Sequence, residues 1–514
     1  MKNIIKYLLL PVVLVGFTAC TNLDEELKDR YTENFDPSNP GVGIKNNVNK
    51  AQPNDGLQGA FSSLLGWHAT NGGFFGIQEL GTDEAVITQK GGDWYDGGAY
   101  IKVHKHEFTP QTWEINSVWS NAYGGIFKCN TLLGDAAISA DAGKVAQLKT
   151  LRAYLYWILL DVFGNVKIVT VAGQDAPQAT RQEVFDFVEA ELLEAIADLP
   201  AGRHDYGRVS QAAAYGLLSR LYLNAEVYTG TQRYQDAIDA ADAVLAMPEY
   251  VLSADFHSIF TPDNVDNSEH IFVIPFDEST GQNSFWSQMT LHYPSQLTYK
   301  LQQQPWNGFS TLEDFYNSFD DGDDRKAASF IAGPQYDLFG APILDLAFDK
   351  ADDGPEIIYT PEINELAPNA SRQAGARFGK FSFKIGQSPN ADNDFPIIRL
   401  GEIYLNKAEA LCRLNNDWAN GEAWDLIQVL RDRANAGAPA ATTEGEFLAE
   451  RGREMFVEEI RRTDRIRFGV YCEAYWEKPD DSANSDTHKL MAIPFDQIQA
   501  AATGSNPLTQ NPGY

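Results

Sequence analysis

A mainly α-helical fold of paired helices, broken by one long loop-rich insertion, is what this 514-residue sequence predicts. Three observations carry the prediction. Apolar residues recur at spacings of three and four in successive segments, small residues occupy matching places in those segments, and the periodicity fades between about residues 251 and 396. At 44% hydrophobic residues the chain can bury a large core.

The strongest helix runs from Lys144 to Phe163, where Val145, Leu148, Leu151, Leu155, Ile158, Leu159 and Val162 share a face and Gly164-Asn165 supplies a stop. Its expected partner, Gln182 to Leu199, ends at Pro200. A second pair joins Ala212–Val227, with Ser210 as N-cap, to Tyr234–Met247, whose Ala237, Ala240, Ala241 and Ala243 let a neighbour approach closely. A third joins Ile398–Leu414 to Ala419–Arg433, and Ala51–Leu65 with Ile115–Leu133 is a candidate fourth. Small residues at facing positions are the physical content of the tetratricopeptide pattern, although the match is degenerate. Within the insertion, short strands are expected at Ile271–Pro275 and Phe378–Lys384. A long irregular stretch in a helical protein points to function.

The first residues form a secretory leader: Lys2 and Lys6, an apolar run from Tyr7 to Val15, then Phe17-Thr18-Ala19 before Cys20. That run is too short to span a bilayer, which takes about 20 apolar residues. The expected organisation is a leader over 1–19, a lipid-bearing Cys20 with a polar tether to residue 50, and one domain over 51–514. Several acyl chains at Cys20 give lasting attachment. Asp24-Glu25-Glu26 resembles the acidic tag that sends bacterial lipoproteins to the outside of the outer membrane; the alternative is a solvated tether.

A formal net charge of −31 repels nucleic acid and disfavours polyanionic ligands. Cys129, Cys412 and Cys472 accompany Cys20, too sparse a set for a disulfide framework but enough for one bridge, and no Cys-x-x-Cys motif occurs. Nor is there a P-loop, a G-x-S-x-G or a G-x-G-x-x-G. His104-Lys105-His106 lies in an alternating run that would set both imidazoles on one side of a strand, but nothing adjacent completes a metal set, so neither metal nor cofactor is expected. Asp320 to Asp324 lacks calcium-loop spacing and reads as an acidic turn capping a helix near Arg325. Glu458, Arg461, Asp464 and Arg467 make a charge stripe that reads as a structural ion-pair ladder.

The segment Gly91-Gly92-Asp93-Trp94-Tyr95-Asp96-Gly97-Gly98 sets aromatic rings and carboxylates between glycine pairs. Glycines permit a sharp turn that leaves rings uncovered, and a flat ring beside a carboxylate suits a sugar, although Trp94 could equally plug its own loop. In the insertion, Trp286, Tyr293 and Trp306 lie among many amides and are candidates for the same role.

Several pieces of sequence, in order, resemble the SusD/RagB outer-membrane lipoproteins of Bacteroidetes. They are Thr82-Asp83-Glu84 with the Gly91–Gly98 loop, Trp119–Asn130, Leu151-Arg152-Ala153-Tyr154 to Phe163-Gly164, Ile397–Leu405 with Ala408-Glu409-Ala410, Arg453-Glu454-Met455 to Gly469, and the ending Gln510–Tyr514. The resemblance implies four tetratricopeptide-like hairpins, no catalytic activity, glycan capture at the cell surface, and a TonB-dependent SusC-type barrel as partner. Glu459 stands where a Gly is common in the family. Only the Asp93-Trp94 loop carries over as a sugar contact; Trp286, Tyr293 and Trp306 rest on the reading of the insertion. A non-catalytic surface protein binding a neutral glucan is therefore expected, with a surface glycoside hydrolase or a protein-recognition scaffold as alternatives.

Overall fold

The computed structural model describes residues 53–280, 284–345 and 354–514; the leader, Cys20 and the tether lie outside the described residues. Near the start, Gln58–Phe61 forms one helical turn, continued by a 3-10 turn over Ser62–Leu64. Then come α1 (Gly73–Glu79), β1 (Ala85–Ile87), α2 (Ala99–His104), α3 (Trp113–Leu133) and α4 (Ala142–Val162). Next are α5 (Arg181–Ile196), α6 (Gln211–Leu223) and α7 (Tyr234–Leu245). The irregular region holds β2 (His270–Ile274), α8 (Trp286–Thr290) and β3 (Phe309–Thr311), and the C-terminal part holds β4 (Phe395–Arg399), α9 (Leu400–Asn415), α10 (Gly421–Arg433), α11 (Glu444–Met455) and α12 (Arg461–Arg467).

The long helices stack in a row, α3 on α4, α4 on α5, α5 on α6, α6 on α7, α7 on α9 and α9 on α10. This is the expected chain of hairpins. α4 is its axis: Leu148, Leu151, Leu155, Ile158, Leu159 and Val162 are inaccessible, and so are residues on its other faces, such as Tyr156 and Leu160. Its start is fixed by the Asp141 carboxylate, which accepts from the Lys144 N–H, and α5 opens on a reciprocal capping box between Thr180 and Glu183. Gly216 shows why small residues recur: a Cβ there would meet Ile398 Cγ2 at 3.0 Å.

Local differences from the sequence reading have visible causes. Ser210 sits at the N-cap of α6, but its hydroxyl meets the Tyr250 hydroxyl at 3.0 Å instead of capping. α6 stops at Leu223, where Asn224 turns its side chain onto the Arg220 carbonyl, and a short helix over Ala225–Thr229 follows. Of the candidate fourth pair, Ile115–Leu133 lies within α3, but from residue 53 its Ala51–Leu65 partner forms only the turn Gln58–Phe61 and the 3-10 turn Ser62–Leu64. Of Phe378–Lys384 only Phe378, with Arg377, is in a strand. Two small sheets tie the irregular region to the rest of the chain: β2 pairs antiparallel with β4, and β1 with β3. Asp323 does cap a helix, Asp324–Ser329.

A buried ion network closes the scaffold. Arg399, inaccessible to solvent, donates to Glu458 at 2.7 Å and Glu454 at 2.8 Å and pairs with Glu269 at 3.3 Å. Arg325 joins Asp323, Glu450 and Glu454. The expected ladder exists as contacts to remote carboxylates and arginines: Arg461 grips Asp83 in a two-pronged bond, Asp464 accepts from Arg451, and Arg467 donates to Glu409.

Candidate functional site

The loop before α2 starts from a tight turn in which Lys90 and Asp93 exchange backbone hydrogen bonds, while the Gly91 N–H donates to the Pro368 carbonyl at 2.8 Å. Trp94 follows in the left-handed region at φ 57°, and Gly97 and Gly98 at 65° and 78° turn the chain into α2. That backbone swings the indole away from its own loop. It lies against Tyr100, with ring centroids 5.6 Å apart, and its Nε1–H donates to the Trp306 carbonyl at 2.5 Å.

Trp306 arrives from the irregular region. Its own N–H donates to the Gln288 carbonyl at 2.7 Å and the Gly308 N–H to the Met289 carbonyl at 2.7 Å, so the segment runs pinned along α8. Its ring meets Phe285 edge-on at 5.4 Å. Gly308 is required there, because a Cβ would stand 2.7 Å from Trp94 Cζ2.

These two segments and Tyr293 enclose an open cleft of about 600 Å³ lined by Gly92, Asp93, Trp94, Asp96, Tyr293, Gln303, Gln304, Pro305 and Trp306. Four of the five residues singled out for sugar contact thus come together: Asp93, Trp94, Tyr293 and Trp306, each half-buried. The fifth requires a correction. Trp286 is 1% exposed, stacked on Phe381 at 4.7 Å and edge-on to Phe75 at 5.1 Å, so its ring fills the core beneath the cleft and offers no platform. Gln303, Gln304 and Asp96 were not singled out; the run Gln302-Gln303-Gln304 beside Pro305-Trp306 was the available signal.

Burial pushes the Asp93 carboxyl above its ordinary value, with Lys90 opposing. Lys90, 3% exposed, is itself held well below the usual ammonium range by burial and by Arg377. The cleft therefore offers flat rings flanked by carboxylate and amide groups. Burial also drives Glu84 and Glu114 up to about 7, and neither of these lines the cleft. The two histidines of the His-Lys-His motif also separate. They lie on the end of α2 and a turn, not on a strand; His104 Nε2 contacts the Trp476 carbonyl at 2.8 Å, and His106, at φ 57°, turns to the Gly81 carbonyl.

Comparison with known proteins places this architecture. The family model described as "Starch-binding associating with outer membrane" matches residues 78–223, and the SusD family model matches residues 367–514. The starch-binding protein SusD of Bacteroides thetaiotaomicron is 26% identical, over 100% of this chain and 99% of its own length. The chain belongs to the SusD/RagB family. A SusD-like protein of Bacteroides ovatus is 22% identical over 74% of this chain and 70% of its own. Among solved structures, a laminarin-binding SusD-like protein superposes with a TM-score of 0.67 at 23% identity, covering 89% of this chain and 98% of its own. Surface glycan-binding protein A from Bacteroides thetaiotaomicron, solved with laminarihexaose, gives 0.69 at 20% identity, covering 88% and 97%. Both share this chain's fold.

Proposed function

We propose that this SusD-family protein is a non-catalytic glycan-binding lipoprotein of the outer cell surface, anchored through Cys20, which stacks a neutral glucan on Trp94 and Trp306 and passes it to a SusC-like TonB-dependent transporter. The convergence of Trp94, Trp306 and Tyr293 around Asp93, Gln303 and Gln304 carries the reading. Aromatic faces take the apolar C–H side of a sugar ring, and amide and carboxylate groups take its hydroxyls. A cleft of about 600 Å³ suits a short run of sugar units. Neutrality of the ligand follows from the charge of −31 and from the two carboxylates lining the cleft. That the raised carboxyls of Glu84 and Glu114 are buried away from the cleft supports binding without turnover.

The experiment is calorimetric titration with laminari- and malto-oligosaccharides, which separates β-linked from α-linked glucans, on the parent chain and on Trp94→Ala and Trp306→Ala. One of the two series binds; each variant weakens it by about 5- to 150-fold, the range for loss of a central aromatic anchor. Chromatography of the same mixtures finds no shorter product. Unchanged affinity in both variants, or cleavage that persists in purified protein, overturns the proposal.

A further inference from the structure

Outside the cleft, three side chains of one C-terminal segment, Cys472, Asp481 and His488, meet His106 from far earlier in the chain; each offers one donor atom, and these atoms all lie within 4.8 Å of one another. We propose that they form a site for one divalent transition-metal ion of the zinc type, stapling the 471–489 segment to the turn after α2.

His106 is the best evidence. Its side chain is fully buried, its Nε2–H donates to the Gly81 carbonyl at 2.9 Å, and that bond leaves the lone pair on Nδ1. Nδ1 is buried and has no hydrogen-bond partner. A ring nitrogen fixed by a backbone carbonyl while the other faces a ligand set is how proteins orient metal-binding histidines. The ring is also clamped, stacked on Tyr471 at 4.2 Å and on Phe108 at 5.7 Å.

Four donor atoms within 4.8 Å of one another need only small shifts to surround one ion. Bonds of about 2.0–2.3 Å at tetrahedral angles set ligand atoms roughly 3.4 Å apart. His106 Nδ1 and Asp481 Oδ2 already stand at 3.4 Å. His488 Nδ1 lies 2.5 Å from the same oxygen as a hydrogen-bond donor, closer than two ligands of one ion, so on loading this partly exposed ring gives up its Nδ1 proton to solvent or carries it on Nε2, and opens by about 1 Å. Cys472 is buried and has no disulfide partner. As a ligand it gives its thiol proton to solvent, so thiolate and carboxylate together balance the ion's charge. Lys478 is a nearby cation, but its ammonium is committed to Asp481 Oδ1 and to the carbonyls of Cys472, Glu473 and Pro479, leaving Oδ2 for the metal. Sulfur and imidazole donors select zinc-type ions over calcium or magnesium, which take oxygen ligands.

The full chain, stripped with a chelator, is titrated with Zn²⁺ by calorimetry and then loaded with Co²⁺ for absorption spectroscopy. One ion binds per chain, Tm rises with Zn²⁺, and the Co²⁺ form shows a thiolate-to-metal charge-transfer band. Cys472→Ser removes that band, and Cys472→Ser and His106→Gln each weaken Zn²⁺ binding by at least about tenfold. Cys129→Ser, buried elsewhere, changes neither. No bound Zn²⁺, a Co²⁺ form without the thiolate band, or affinity unchanged in both ligand variants overturns the site. The parent chain's Co²⁺ spectrum decides the matter even if a variant fails to fold.

Discussion

Adding a single methyl group at Gly308 tests whether the position of Trp94, and not merely its presence, makes the cleft. In Gly308→Ala the new Cβ would lie 2.7 Å from Trp94 Cζ2 and 2.8 Å from the Met289 carbonyl oxygen, where ordinary contact begins at 3.4 Å. The backbone cannot retreat, because the Gly308 N–H is bonded to that same carbonyl. The indole must therefore give way by about 0.7 Å, the difference between 3.4 and 2.7 Å. Overpacking of this kind costs about 1–3 kcal/mol, and losing the Trp94 Nε1–Trp306 bond adds about 1 kcal/mol. The expected outcome is a lower Tm and a glucan affinity reduced toward that of Trp94→Ala, with every cleft-lining side chain retained. Gly124→Ala, where nothing lies within 4 Å of the new Cβ, serves as the control for an added methyl. The assays are calorimetric titration and thermal melting. A Gly308→Ala protein with parental Tm and parental affinity would refute the placement of the ring against residue 308.

Two further outcomes are expected. Trp286→Ala empties a fully buried site between Phe75 and Phe381 and should cost about 3–5 kcal/mol of stability by denaturant titration, while Trp306→Ala loses mainly affinity; a stable Trp286→Ala with abolished binding would reverse these roles. Burial alone would raise Glu450 and Glu409, but Arg325, Arg453 and Arg431 around the first and Arg467, Arg413 and Arg451 around the second hold them from 4.5 down to about 2. These depressed carboxyls favour the folded state above their unfolded value and lose that contribution as pH falls from 4.5 toward 2, about 3 kcal/mol each; a denaturation midpoint flat across that window would contradict the sign.

How much the sequence disclosed depended on whether the decisive partner lay nearby in the chain. α4 and α5 were legible because capping, spacing and stop residues are all local, as in Thr180 with Glu183 and Asp141 with Lys144. The Asp93-Trp94 loop was legible for the same reason, since its glycines set its own backbone. Trp286 and Trp306 look alike in sequence, both in an irregular, amide-rich region, and only Phe381 and Phe75, distant along the chain, bury the first and not the second. The convergence of His106 with Cys472, Asp481 and His488 has no spacing to read, and the neighbouring His104 was a distraction. The end of α6 was missed because Asn224 breaks it without any Pro or Gly.

The buried contacts between the start and the end of the chain govern when the fold can close. The Glu79 carboxyl group accepts from the Glu459 N–H, Gln78 accepts from Thr463, Glu84 accepts from the Val457 N–H, and Asp83 holds Arg461. None of these groups meets its counterpart until residues 457–463 are in place, and pairings this distant in sequence cost the most loop entropy. A chain cut short before residue 450 leaves the Glu79–Glu84 segment with uncompensated acids and no stable place in the core. The 78–84 segment therefore gains its buried partners only when residues 457–463 reach it, which makes this junction a late step in closing the core.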